Sequence, residues 1–506
     1  MGSGLRGCPV GLLACPATEA RLARGQARRP TPQRKHYDRV MSRIPRRHFL
    51  AGGAVAPAIM AQRTPRNVLL LIADDLGCFL PSYGDPNAVT PNIERTAGEG
   101  VRFSNAYCTT ASCSASRSVI LSGLYNHANG QYGHAQTEHH FSYLAEVRPF
   151  PRLLKDAGYT TGYIAKLHVA PEDRFGWDLA DPMGSRDVWR MAQTAKKFIQ
   201  GAGGKLWYLH CGFHDPHRAG DGFANRDWPN VKRLRLDSAK IAVPAWLPDN
   251  ADTRADLVEY YEACNRFDQG VGFMLDVLRE TGHADDTMVL IMSDHGAPFP
   301  GGKTTTYDQG LHVPLIVRCP EARRGLVNRA MTNWADIMPS ILEWTGVKGP
   351  EYPLHGRSWM PILGQEDPAG WDRVYFSHTF HEVIDYYPMR GVRTREFKYI
   401  HNLFHQVQYP QATDLWASKT WQSMRKQGRG AALGKRGVGS FLHRDVEELY
   451  DLRKDPYEVT NLARSAGHQE VLKTLRADTM GFREKTNDFW VKNRMQDGEV
   501  GDGAVE

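Results

Sequence analysis

The stretch RNVLLLIADDLG, Arg66 to Gly77, is an unbroken apolar run that stops at two aspartates and a glycine. A strand with one solvated face alternates apolar and polar residues. One that is apolar throughout is covered on both faces, as in the parallel sheet of an α/β protein. Three later runs repeat the form: TTGYIAKLH ends at Lys166 and His168, KLWYLHCGFH at His214, and TMVLIMSDHG at Asp294 and His295. Helical stretches separate them. FPRLLKDAG is stopped by Gly158, DLVEYYEACNRFDQGVGFMLDVLRETG is amphipathic and closed by Gly282, and ADIMPSILEWTG follows VPLIVR. This alternation predicts a largely parallel α/β sheet. Ligands bind such sheets beyond the carboxyl ends of the strands, which is where this sequence puts Asp, Lys and His.

Beyond residue 370 the texture changes. RVYFSHTF, MRGVRTREFKYIHNL and EELYDLRKDPYEVTNLA read as short antiparallel strands and a terminal helix. A chain of 506 residues has room for two domains. We expect a catalytic domain over 62–370, a smaller α+β domain over 371–490, and a solvated acidic, Gly-rich tail over 491–506.

The net charge of +7 is unevenly placed: residues 1–61 hold eleven Lys and Arg against two acids, which leaves −2 for the rest. That distribution predicts no nucleic-acid partner. In MSRIPRRHFLAGGAVAPAIMAQ, an Arg46-Arg47-x-Phe49-Leu50 core precedes a short apolar run and Ala61. Residues 1–61 therefore read as a leader with a twin-arginine export signal, with Met41 the better natural start. The expectation is a bacterial-type exported protein, periplasmic or secreted, handled by the twin-arginine machinery. No stretch is long enough to span a bilayer, so no stable membrane insertion is expected. Six cysteines lie outside the leader (Cys78, Cys108, Cys113, Cys211, Cys264 and Cys319), scattered and without a CxxC, so no disulfide framework is predicted.

The charged strand ends form a candidate site. Asp74 and Asp75 on one end and Asp294 and His295 on another suit a hard cation, because adjacent carboxylates repel unless a divalent ion offsets them. Either pair alone would serve equally as turn and cap residues. Lys166 and His168, two apart in an extended chain, would point the same way and converge on one anion. Lys303 and Arg117 are further cations, and His214 is a candidate general acid. Cys113, in CSASR, reads as a packed thiol, as half of a disulfide with Cys108, or as the start of some chemistry.

CSASR, followed by Leu121-Ser122-Gly123, resembles the sulfatase signature Cys-x-Pro/Ala-x-Arg. IADDLG, KLH, SDHG, GGKTTTYDQG and ELYDLRKDPYEVTNLA resemble that family's other blocks in the family's order, from Asn67 to Phe489. Within the family, GLYNHANGQYGHAQTEHHF, GFHDPHRAG, RFDQGVGFML and HEVIDYYPMRGVRTREFKYIHNL are most similar to the sulfamidases, the heparan N-sulfatases. Ala115 stands where relatives mostly have proline, and His295 where many have asparagine.

The resemblance implies an alkaline-phosphatase-like α/β/α sandwich with a large, mostly parallel sheet and a smaller C-terminal domain with an antiparallel sheet. It also implies conversion of Cys113 to formylglycine by a formylglycine-generating enzyme. One divalent metal, most simply calcium, would be held by Asp74, Asp75, Asp294, His295 and the modified residue 113. Arg117, Lys166 and Lys303 would balance charge on the transferring group, His168 would act as base, and His214 as acid. The implied substrate is a sulfated carbohydrate, specifically the sulfamate of glucosamine in heparin- or heparan-sulfate-type glycans. His139, His140, His381, Glu382 and Arg390 are expected substrate contacts. A carbohydrate O-sulfatase, a phosphonate monoester or phosphodiester hydrolase, and a non-catalytic glycan receptor remain as alternatives.

Overall fold

The computed structural model describes residues 66–492, with Asp221 set aside. The leader (1–61) and the acidic tail from Asn493 onward therefore lie outside the described residues, while the first two residues of the expected tail close a short turn, Phe489–Lys492. The buried apolar run at Arg66–Gly77 becomes β1 (Asn67–Ala73), every residue of it inaccessible. With β2 (Val101–Tyr107), β3 (Thr160–Ala165), β4 (Leu179–Asp181), β5 (Trp207–Gly212), β6 (Thr287–Ser293), β7 (Leu315–Arg318) and β8 (Leu326–Asn333) it forms an eight-stranded sheet. The order is β4-β3-β5-β1-β6-β7-β2-β8. All strand pairs are parallel except those of β7, which runs against both β6 and β2.

β1 sits at the centre, between β5 and β6. The chain leaves it first toward β2 on one side and then toward β3 on the other, so the strand order switches direction at β1. In an open α/β sheet this opens a crevice beyond the strand ends. Two groups of helices cover the sheet. Pro91–Glu99 and Val188–Gly201 pack on the 30-residue helix Ala251–Glu280, while Phe150–Asp156 and Ile337–Thr345 pack on Cys113–Ser122. The long helix starts under an Asn250 cap whose side chain accepts from Thr253 N–H. Its chain reverses at Gly282, whose φ of +77° suits glycine.

A second, antiparallel sheet has the order β14-β11-β10-β9, from β9 (Arg373–His378), β10 (Met389–Thr394), β11 (Phe397–Asn402) and β14 (Glu447–Asp451). The connection between β11 and β14 carries short helices and a two-stranded ribbon, β12 (Ala432–Leu433) and β13 (Arg436–Gly437), whose Leu433 joins the core. The apolar core runs from β1 through Phe376, Met389 and Ile400 without a break. The α/β/α architecture with a separate antiparallel sheet is the one the sequence predicted.

Candidate active site

The segment after β2 turns into the helix Cys113–Ser122, all of whose residues are buried. Ser112, the N-cap, is extended and offers no side-chain cap. Its hydroxyl instead pairs with His381 Nδ1 at 3.0 Å. The first-turn N–H groups therefore face the site without a capping side chain, so the positive end of the helix favours negative charge at position 113. Cys113 Sγ lies 3.2 Å from His295 Nε2 and 3.9 Å from Asp75 Oδ1. Cys108 and Cys113 are both free thiols, and Cys108 donates to the Gly310 carbonyl instead. The disulfide alternative is thereby corrected.

Three strand ends supply the charged cluster. Asp294 Oδ1 accepts from the N–H groups of Asp75 (3.0 Å) and His295 (2.9 Å), and its Oδ2 accepts from Arg117 Nε at 3.0 Å. Arg117 also reaches Asp74 at 3.4 Å and the Lys166 carbonyl at 2.9 Å. Lys166 Nζ is 2.5 Å from Asp74. Lys303 Nζ bridges Asp75 at 3.1 Å and Asp414 at 2.8 Å. Asp74, Asp75, Arg117, Asp294, His295 and Lys303 are all fully buried. Isolated buried charges are prohibitive, and this cluster exists because each is paired.

The donor set fits a divalent cation. Asp75, Cys113 and His295 form one group with ligand atoms within 4.8 Å of one another, and Asp74, Cys113 and Asp294 form another. His295 Nδ1 lies 3.0 Å from the Gly296 carbonyl, to which it can donate while Nε2 faces Asp75 and Cys113. Electrostatics agree. Burial drives Asp75 well above the ordinary carboxylate range against Lys303 and His295, and Asp74 adds to the rise. Burial also opposes ionisation of Asp74, yet Lys166, His217 and Arg117 hold it well below that range. Burial disfavours the His295 imidazolium, but Asp294, Cys113 and Asp75 outweigh it and carry its pKa up to about 10, so a cation taking Nε2 as a ligand would have to release that proton. Two carboxylates pulled in opposite directions at one site are what a cation would reconcile.

Above the cluster lies a cleft of about 650 Å³. Lys166, His168, His214 and Lys303 line it, as do His139, His381 and Glu382. Lys166 and His168 do not share a strand face as expected. Ala165 and His168 are left-handed, with φ of +67° and +62°, so the chain turns sharply at the strand end and both side chains reach the cleft by that turn. Asp75 (φ +69°) and Thr304 (φ +69°), next to Lys303, share this strained conformation, which recurs at functional sites. His214 Nε2 pairs with the Met183 carbonyl at 2.8 Å, and burial, then Lys166, lowers its pKa.

Two expected substrate contacts are not brought to the cleft. His140 is exposed and outside its lining. Arg390 is fully buried, bound to Asp488 at 2.7 and 3.2 Å and to the His378 carbonyl at 2.6 Å. Its guanidinium has a structural partner, which sequence could not reveal. Conversely, His134, Gln136, His217 and Asp414 line the cleft and were not singled out. His134 and Gln136 lie in GHAQTEHH beside the chosen His139, and His217 lies in FHDPH beside His214. Asp414 sits in the short helix Thr413–Trp416, which carries no motif.

This geometry is that of an anion-handling hydrolase, and the chain belongs to the sulfatase family, whose profile matches residues 66–347. A second profile, N-sulphoglucosamine sulphohydrolase, C-terminal, matches residues 301–418. Human N-sulphoglucosamine sulphohydrolase is 35% identical, over 85% of this chain and 92% of its own length. An N-acetylglucosamine-6-O-sulfatase of Bacteroides thetaiotaomicron is 24% identical, over 81% and 84%. A protein solved with its substrate D-glucosamine-2-N,6-O-disulfate superposes with a TM-score of 0.62 at 20% identity, covering 84% of this chain and 98% of that one. The last likeness establishes the fold.

Proposed function

We propose that this chain hydrolyses the sulfamate of glucosamine residues in heparin- or heparan-sulfate-type glycans. The observation that carries the substrate is the span of the C-terminal sulphohydrolase profile. Residues 301–418 include Lys303, His381, Glu382, Thr413 and Asp414, which wall one side of the cleft.

A divalent cation, most simply calcium, held by Asp74, Asp75, Asp294 and His295 would supply positive charge for a sulfate oxygen. Formylglycine at position 113, made by a formylglycine-generating enzyme, would supply a hydrated aldehyde with one hydroxyl to attack sulfur and a second to expel sulfate. The chain's own groups do the rest. Arg117, Lys166 and Lys303 hold the transferring group and offset its charge. His168 is neutral, because burial and then Lys166 keep its pKa well below the imidazole range, so it can accept a proton. His214 is the proposed acid for the leaving amine; its Nε2–H is held by the Met183 carbonyl and its pKa is lowered, so Nδ1 would have to pick up a proton as the sulfated substrate binds before passing it on. Export through the twin-arginine route to the periplasm or beyond completes the reading. Among the described residues no helix is long and apolar enough to cross a membrane.

The test is inorganic sulfate release by protein co-expressed with a formylglycine-generating enzyme, with Cys113→Ala as blank. Release mainly from N-sulfoglucosamine supports the proposal. Release mainly from 6-O-sulfated N-acetylglucosamine sinks it in favour of an O-sulfatase.

A further inference from the structure

We propose that Gln136 is a positioning residue whose single side-chain amide makes His168 a hydrogen-bond acceptor and His134 a donor in the cleft; this rests on the assignment of His168 as the base.

A carboxamide has one accepting and one donating end. Gln136 Oε1 is hydrogen-bonded to His168 Nε2, and Gln136 Nε2 lies 3.3 Å from His134 Nδ1. His168 therefore donates from Nε2, which leaves the lone pair on Nδ1. His134 accepts at Nδ1, which leaves its proton on Nε2. Both rings are thus Nε2–H tautomers, but they turn opposite atoms to the amide. The two atoms left over, His168 Nδ1 and His134 Nε2, are buried without a partner among the described residues. Both residues line the cleft, with ring centroids 5.0 Å apart. One imidazole is left ready to take a proton and the other to give a hydrogen bond.

The surroundings favour neutral rings in both cases. Lys166 and Asp74 from the strand ends, Arg117 from the helix Cys113–Ser122, and His134 face His168. Burial, then Lys303 and Lys166, brings His134 down to about 3. The His134 ring packs against His381 at 4.0 Å and His139 at 5.5 Å, and His381 contacts Ser112, the neighbour of Cys113. The amide therefore bonds two rings of the cleft, one of which reaches the segment before Cys113 through His381. When Nδ1 of His168 takes a proton, Nε2–H remains on the amide oxygen, which stabilises the resulting imidazolium; the proton later returns to solvent. Gln136 is itself exposed, so its replacement leaves the core intact.

The test uses ¹⁵N-histidine spectra of the full chain with Cys113 unconverted, assigned with His134→Gln and His168→Gln. The wild type should show both rings as Nε2–H tautomers. In Gln136→Glu, a carboxylate accepts from both sides, so His134 should switch to Nδ1–H while His168 keeps Nε2–H. In the converted enzyme, that variant should move the acidic limb of the kcat profile to higher pH, because a carboxylate raises the pKa of His168. Gln136→Leu should lower kcat on the order of 10- to 100-fold with KM unchanged, as when a partner that orients an imidazole is lost. An Nδ1–H tautomer at His168 in the wild type, or an unaltered kcat and pH profile in Gln136→Leu, overturns the proposal. The spectra need no turnover, so correct tautomers in a protein inactive on sulfamates would support the amide's role while refuting the substrate.

Discussion

Replacing Arg117 by Met tests whether the buried charge cluster is held together as described. The guanidinium is fully buried and binds Asp294 at 3.0 Å, Asp74 at 3.4 Å and the Lys166 carbonyl at 2.9 Å. Met fills much of the space but carries no charge. Asp74 would keep Lys166 at 2.5 Å, whereas Asp294 Oδ2 would lose the one cation it contacts among the described residues. Breaking a buried ion pair from one side costs about 3–5 kcal/mol, so the variant should lose that much in guanidinium unfolding with chelator present. Removing a resident cation also leaves the carboxylates more attractive to an external one. Calcium at about 100 times its Kd adds about 2.7 kcal/mol to any folded state that binds it, and the variant should saturate at lower calcium than the wild type. Sulfate release should fall on the order of 10²- to 10³-fold, the range for losing one preorganised charge-stabilising group. If the variant in chelator unfolds within about 0.5 kcal/mol of the wild type, as a surface substitution would, the account of this cluster is wrong.

Three further outcomes are expected. A Cβ on Gly212 would stand 1.9 Å from the Lys166 carbonyl oxygen, so Gly212→Ala must displace the end of β3 and lower kcat/KM on the order of 10²-fold; normal turnover would refute that geometry. Arg390→Met should destabilise the fold by about 3–5 kcal/mol yet leave KM for the glycan unchanged, and a raised KM in a stable variant would restore Arg390 as a substrate contact. Burial and then Glu382 raise the pKa of Asp385 to about 7. Because its folded pKa exceeds the unfolded one, about 3.9, the folded state binds the extra proton and stability falls as pH rises through that interval. Asp385→Asn should flatten the decline between about pH 4 and about pH 7 in denaturation midpoints; an unchanged slope would contradict the assignment.

The parts of this fold that were legible in the sequence share one cause. β1, β3, β5 and β6 are apolar on both faces because they sit mid-sheet, and their first polar residues mark where the sheet ends and the cleft begins. Residues such as Asp74 and Asp294 could therefore be placed without coordinates. Features set by the path of the chain in three dimensions could not. Nothing in VPLIVR shows that β7 runs antiparallel, and nothing in AKLH announces left-handed turns at Ala165 and His168, since neither is glycine. Arg390 looked like an available cation because its partner, Asp488, is 98 residues away. Asp414 was invisible for the converse reason: its role comes from Lys303, 111 residues earlier.

That last pairing bears on attempts to retarget the enzyme. Lys303 is gripped from one side by Asp75 and from the other by Asp414, so the loop segment around the short helix Thr413–Trp416, which lines the cleft, also supplies a counter-charge to the buried cluster. A chimaera that grafts this loop from a relative, to exchange one sugar for another, would strip Lys303 of that counter-charge unless an acid is carried across at position 414. Under the proposed mechanism one ammonium group ties the wall of the cleft to the charge cluster, and any transplant has to be cut around it.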